Sequence, residues 1–476
     1  MEDQRPIQQR DQEQQTTRVV TEQSGLRYTL QKQNLLLVAF LIVGILTVTG
    51  ACFAVVYAVV EHFSLTYADA SEEHPMATSL KGRALHIAMQ KVSDEDLGKM
   101  VFCFVKPKPM STSPHAFRIE NVSTALCDAI VYTSVGIDSS GTKIRSRNLD
   151  VDIGAQGFKR FVALKKRPGS QRLTTWICVG SEESDNDQFR AMVSRRRTRL
   201  SFIHNAVAWM KEQRFDGVAV YWRYPNAEAK SNFSTLINTL QYFCHKENLR
   251  MTVVLPWNFA NRRQGYFVRS IYDHTSYVIV DSQKTVNPRD FPVTTCQSPM
   301  RCTFRARRHG QLGLTAILDD LSMETDHLLK RTVLSISLGG IAFTVKRSGL
   351  HRMGMTSVGA GRTLGLKNNR LGIVSYYDIK ETLLKNASWT EYFHRSARCA
   401  IAYNQDQWIG FENHESIQAK RPLVRRTSGM AVWDLEMDDF AGGLGPAWPL
   451  LTAAHDVVHG QQNYDLVTLT IPLSRK

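Results

Sequence analysis

At 476 residues and 43% hydrophobic content, the chain is too long and too apolar for anything less than one large domain of barrel size, with segments left over. Its formal net charge of +15 draws anionic rather than cationic partners, although a solvated basic surface that keeps the protein soluble accounts for the charge equally well. The excess falls on residues 61–476, because residues 1–60 balance five basic against five acidic side chains.

Residues 1–34 are polar and Gln-rich without apolar periodicity, and are expected to be a disordered tail. Residues 35–60 then form an uncharged apolar run that exceeds the roughly 20 residues a helix needs to span a bilayer. The run is too long and begins too late for a cleavable signal peptide. Arg18, Arg27 and Lys32 precede it, while Glu61, Asp69, Glu72 and Glu73 follow it before Lys81. The positive-inside rule predicts a single-pass type II signal-anchor, with the amino terminus cytoplasmic and the remainder extracellular or lumenal. The partners of the basic surface are then acidic glycans, lipid headgroups or a protein outside the cytosol, and not nucleic acid. Sequons at Asn121, Asn232 and Asn386 fit that side of the membrane. Seven cysteines follow the anchor (103, 127, 178, 244, 296, 302 and 399), and an odd number leaves at least one thiol outside an intrachain bridge.

A polar stalk, 61–97, leads to alternating strand and helix patterns. Strands are predicted at 100–105, 128–137 and 173–180, with a basic helix over FKRFVALKKR before the third. A long helical pattern, 187–213, runs into FDGVAVYWRYP, Phe215 to Pro225. Here Ala219, Tyr221 and Arg223 share one face of a buried strand, and Val218, Val220 and Trp222 share the other. A helix over FSTLINTLQYFCHK follows, then strands at 251–257, 276–281, 332–340 and 428–437. Eight strands separated by helices predict an α/β fold, a closed (β/α)8 TIM barrel over 98–460, with 461–476 as a tail. Arg305-Ala306-Arg307-Arg308 lies in a basic stretch that reads as a solvated loop, or as a candidate processing site for an Arg-x-Arg-Arg protease.

The Phe215 stretch resembles the signature of glycoside hydrolase family 18, the chitinases and their lectin-like relatives: Asp-Gly-apolar-Asp-apolar-Asp-Trp-Glu-Tyr-Pro. Asp216, Gly217, Trp222, Tyr224 and Pro225 match, whereas the three functional places hold Ala219, Tyr221 and Arg223. The likeness extends over roughly 100–460. It includes LSISLGGIAFTV as a seventh strand and SGMAVWDLEMDDFAGG as an eighth. GIVSYYDI and NQDQWIGFENHESI resemble landmarks of the small α+β domain that chitinases insert, placed here at about 346–410. The resemblance also implies a Cys103–Cys127 disulfide, while the pairing of the remaining cysteines stays open.

Family members hydrolyse chitin with a glutamic acid that protonates the glycosidic oxygen while the substrate's acetamide attacks. Arg223 stands in that place and cannot release a proton near neutral pH. The family's third-strand Gly-Gly-Trp corresponds to Gly180-Ser181-Glu182, and its sixth-strand Met-x-Tyr-Asp is missing, with Asp281-Ser282-Gln283-Lys284 in its neighbourhood without an assigned register. Gly339-Gly340-Ile341 stands for the seventh strand's Tyr-Gly-Arg, and Trp433 alone remains as the floor under the central sugar, or as a barrel-core aromatic. Arg223 is either a ligand residue at the barrel mouth or a structural one paired with Glu182, Asp434 or Glu436. No metal or cofactor is implied. The expected function is non-catalytic binding of a chitin-like or acidic glycan, or of a protein, with Trp433, Arg223 and Tyr221 as candidate ligand residues. The alternatives are a glycosidase with a rebuilt acid and a purely structural scaffold.

Overall fold

The computed structural model describes residues 98–460 apart from 108–115, 259–262, 284–285, 324–325, 347–348, 350 and 363–371. The tail, anchor, stalk and carboxyl-terminal segment inferred above lie outside the described residues. Among the described residues, no helix is long and apolar enough to cross a membrane.

Eight parallel strands close on themselves: β1 Met100–Val105, β2 Ala129–Ile137, β3 Thr174–Gly180, β4 Gly217–Tyr221, β5 Arg250–Pro256, β6 Tyr277–Asp281, β7 Thr332–Ser337 and β8 Gly429–Trp433. Each pairs with its neighbour, and β1 pairs with both β2 and β8, so no edge is left open. Period-2 alternation divides the core in two. Inward residues, among them Phe102, Trp176, Ala219, Tyr221, Tyr277 and Trp433, fill the barrel interior. Outward residues such as Val218, Val220 and Trp222 pack beneath the helices.

A second sheet is built from Gly339–Val345, Ser357–Ala360, Ile373–Ser375, Thr390–His394, Cys399–Asn404 and Gln407–Phe411, with the helix Tyr376–Lys385 among them. It begins earlier than the expected 346. The apolar run 332–340 is two strands: β7 ends at Ser337, and the antiparallel sheet starts at Gly339. The glycines mark the crossing. A Cβ on Gly339 would lie 2.7 Å from the Met437 methyl, and one on Gly340 would lie 2.6 Å from Ile379 Cδ1. Two other boundaries also move. The helical pattern 187–213 is two helices, Asn186–Ser194 and Arg196–Gln213, broken where Arg195 is extended. The last strand stops at Trp433, before a short turn of helix, Leu435–Met437.

Cys103 bridges Cys127, tying β1 to the segment that enters β2. Cys296 bridges Cys399 and thereby joins the β6–β7 connection to the second sheet. Cys178, Cys244 and Cys302 stand outside both bridges.

Loop-closure entropy grows with separation, 24 residues for Cys103–Cys127 and 103 for Cys296–Cys399. The double serine variants are therefore expected to lose about 3 and about 5 kcal/mol respectively in denaturant titrations. A second expectation concerns Asp438, which accepts the backbone N–H groups of Leu450 (3.2 Å) and Leu451 (3.0 Å) at the start of the helix Pro449–His459. Burial pushes its carboxyl up to about 7. The folded chain thus holds a proton that the unfolded chain releases near pH 4, so this group's contribution to stability falls as pH rises from about 4 to about 7. Asp438→Asn should gain stability relative to the parent between pH 5 and pH 8, as read from melting temperature.

Candidate functional site

Of the residues of the Phe215 stretch that match the family signature, Asp216, Gly217, Trp222 and Pro225 serve packing. The Asp216 carboxylate accepts Lys165 Nζ at 2.8 Å and the Thr175 backbone N–H at 2.7 Å, latching β4 to β3. Gly217 is required because a Cβ there would lie 2.7 Å from the Trp176 ring and 2.8 Å from the Arg250 carbonyl oxygen. Trp222 points outward, donates its indole N–H to Asn186 Oδ1 at 3.0 Å and stacks on Phe189, with centroids 5.1 Å apart. Pro225 is held by close approach of Gly265, where a Cβ would lie 2.0 Å from the Pro225 carbonyl oxygen.

The inward face differs. Ala219 has no polar side-chain atom and is fully buried in the barrel. Two residues on, the Tyr221 hydroxyl donates to Asp281 Oδ2 at the carboxyl end of β6. Gln283 Nε2 donates to Asp281 Oδ1 at 3.0 Å. Arg223 brings Nη2 to 3.7 Å from Asp281 Oδ2, and its guanidinium lies 5.1 Å from the Tyr221 ring centroid. The ion-pair partner of Arg223 is thus Asp281, and not Glu182, Asp434 or Glu436. Both charges are withdrawn from water, with the Asp281 side chain 2% and Arg223 15% exposed. Burial, then the Asp281 charge, raises the Tyr221 pKa well above the usual tyrosine range. For Arg223, desolvation opposes the charge but Tyr221 and Asp281 outweigh it, and the pKa rises. Neither group offers a proton near neutral pH, and Asp281 accepts two hydrogen bonds besides its ion pair with Arg223.

Trp433 takes the core reading: it is 1% exposed, stacked on Phe104 with centroids 3.7 Å apart, and edge-on to Tyr221 at 6.4 Å. One ring face is therefore occupied by Phe104. A cavity of about 200 Å³ beside it is lined by Tyr132, Ser134, Arg147, Asp152, Glu182 and Asp434, among others. Five of these six side chains are already paired. Arg147 binds Asp185 at 2.7 Å, Ser134 Oγ at 3.0 Å and Glu182 at 3.4 Å. The Tyr132 hydroxyl donates to Asp152, whose second oxygen accepts Ser146 Oγ at 2.5 Å.

The other sequence-derived positions lie elsewhere. Asn386 is exposed at the end of the helix Tyr376–Lys385. Asn121 and Asn232 are half-buried, and their side-chain oxygens accept from the Arg118 backbone and from Arg199. The basic stretch Arg305, Arg307 and Arg308 is a short helix, Phe304–Arg308, and not a loop, because Thr303 caps it and Ala306 is fully buried. A protease would have to unwind it first. Among the described residues, no group of three or more His, Cys, Asp and Glu is placed to hold a metal ion. Sequence reasoning missed Phe104, Gln283 and Arg147, and left Asp281 without a register. The signal for Asp281 was present, since an acid closes the apolar run YVIVD.

The sequence pattern of glycosyl hydrolases family 18 matches residues 101–438. An endochitinase of Manduca sexta is 24% identical over 359 residues, covering 71% of this chain and 63% of its own length. The chain thus spans less than two thirds of that relative. In structure, the Group IV chitinase of Ostrinia furnacalis superposes with a TM-score of 0.69 at 24% identity, over 76% of this chain and 99% of that one. Human YKL-39, described as a pseudo-chitinase with retained chitooligosaccharide binding properties, superposes with a TM-score of 0.67 at 20% identity, over 76% of this chain and 99% of that one.

Removing Asp281 leaves a buried cation and a buried hydroxyl without their acceptor, whereas removing the Tyr221 hydroxyl leaves the ion pair in place. Asp281→Ala is expected to lose about 3–5 kcal/mol and Tyr221→Phe about 1–2 kcal/mol in urea titrations. Equal losses would mean that Arg223 is not held by this carboxylate.

Proposed function

This chain belongs to glycosyl hydrolases family 18, and we propose that it is a member that binds without cleaving, carried as the outer domain of a type II membrane protein. The observation that supports the first part is the Tyr221–Asp281–Arg223 cluster. It occupies the end of β4, where the family signature carries its proton donor, with a permanent cation locked onto a buried carboxylate. Protonation of a leaving-group oxygen typically supplies 10²–10⁴-fold of rate, and it needs a group that can release its proton near the working pH. Tyr221 holds its proton too tightly, and Arg223 never releases one.

The anchor rests on the apolar run 35–60 and the charges that flank it. YKL-39, a relative in fold, is a pseudo-chitinase with retained chitooligosaccharide binding properties. In this chain a central sugar would find one face of Trp433 covered by Phe104, and Arg147, Glu182 and Asp152 in the space beside it already bonded to other side chains. Binding to a glycan or protein is therefore assigned to the outer surface of the domain, not to its central subsite.

Full-length protein in detergent, given a fluorogenic chito-oligosaccharide, is expected to show no turnover above a blank, and Arg223→Glu is expected to stay silent. That substitution puts a carboxylate beside Asp281 without restoring acids at 219 and 221. Turnover by the parent chain would overturn the proposal. Chito-oligosaccharide binding lost in Trp433→Ala would return the ligand to the barrel mouth.

A further inference from the structure

A second concavity lies away from the barrel mouth, where the β6–β7 connection meets the second sheet. Its volume is about 590 Å³, and Arg305, Lys346 and Arg352 line it together with Met353, Gly354, Met355 and Thr356. Among the described residues, none that lines it is acidic. All three cations are exposed, and among the described residues none of them forms an ion pair with a carboxylate. Elsewhere on this surface basic side chains do find acids, as in Arg160–Glu120, Lys211–Glu247 and Lys380–Glu391. Three neighbouring cations left without counter-charge in a cleft repel one another, and an anionic ligand relieves that repulsion.

The cleft is also rigid. Arg305 Nη1 donates to the Gly354 carbonyl at 2.9 Å and Nη2 donates to Thr356 Oγ1 at 3.1 Å, so the guanidinium is laid along the 352–356 segment. That segment is fastened to Thr294: the Gly354 N–H donates to the Thr294 carbonyl, and the Thr294 N–H to the Met355 carbonyl, each at 2.8 Å. Its amino-terminal end is held where the His351 carbonyl accepts the Tyr392 hydroxyl at 2.8 Å and Trp408 Nε1 at 3.1 Å. The Cys296–Cys399 bridge closes the base. Gly354 is left-handed (φ 86°), which lets the chain turn beneath Arg305. Arg305 and the 352–356 backbone are thus ordered before a ligand arrives.

We infer that this cleft is a binding site for an acidic oligosaccharide, one bearing sulfate or carboxylate groups on neighbouring sugars. Arginine forks match the planar or tetrahedral oxygens of such groups. The largely buried Met353 and Met355 beneath them offer an apolar floor to the C–H face of a sugar ring. A concave site of this size admits a chain of a few sugars, whereas a bilayer surface cannot enter it. The site does not depend on whether the barrel mouth is silent.

The test is surface plasmon resonance of full-length protein in detergent over an immobilised heparin hexasaccharide, with its desulfated counterpart, a hexa-aspartate peptide and phosphatidylserine nanodiscs as comparators. Binding to the sulfated sugar alone, weakening as salt rises, is expected. The double variant Lys346→Glu/Arg352→Glu should weaken it by about tenfold or more. The control pair Arg195→Glu/Arg197→Glu, exposed and of identical charge change, should alter it by no more than about twofold. Both pairs are at exposed positions, and unchanged melting temperatures would show that the variants are folded. An equal loss in the control would reduce the effect to net charge. That result, no binding to the sulfated sugar, or tighter binding of the peptide or nanodiscs would overturn the assignment.

Discussion

The carboxylate of Asp281 is 2% exposed at the end of an apolar strand, and a charge so placed must be met by donors or by a counter-ion. In this chain it is met three times, by the Tyr221 hydroxyl, the Gln283 amide and the Arg223 guanidinium. Two of these side chains stand where the family signature has carboxylates. A cluster of acids at the barrel mouth would repel, and each would need a raised pKa to share the space. Here a phenol and a cation stand at two of those places, and both face the Asp281 carboxylate. The end of β4 thereby becomes a fastening between two strands.

That exchange was possible because a β-strand carries its two faces independently. Asp216, Gly217 and Trp222 serve the frame: a latch to β3, room for the Trp176 ring, and a stack on Phe189. Residues 219, 221 and 223 serve the mouth. Residue types on the inward face can therefore differ while the outward packing and the barrel stay the same. Phe104 acts on the inward side as well, stacking on one face of Trp433.

The second sheet gives the molecule a surface that the barrel alone would lack. Its junction with the β6–β7 connection is pinned by backbone hydrogen bonds and a disulfide spanning 103 residues. At that junction Arg305, Lys346 and Arg352 line one cleft, and among the described residues none of them is paired with a carboxylate.

The order of the elements was legible in the sequence because alternation and apolar runs are local. All eight barrel strands lie within the runs that predicted them or within one residue of them. The replacement of the acids at 219, 221 and 223 was legible for the same reason, since a motif read in register names its own vacancies. Boundaries failed where one apolar run served two elements, as at Ser337 and Gly339, where the break is set by contacts with Met437 and Ile379 far along the chain. What only the tertiary structure decided is which groups meet. Arg223 and Asp281 are separated by the helices Lys230–Lys246 and Val268–Asp273 and by β5, and barrel closure brings them together. Trp433 and Phe104 lie at opposite ends of the domain sequence and stack only because β8 pairs with β1. Arg305 and Arg352 share a cleft through hydrogen bonds to a glycine carbonyl and a threonine hydroxyl that no local pattern marks. A sequence fixes the side chains and the period at which they recur, but contact between distant segments follows from closure and packing of the whole chain.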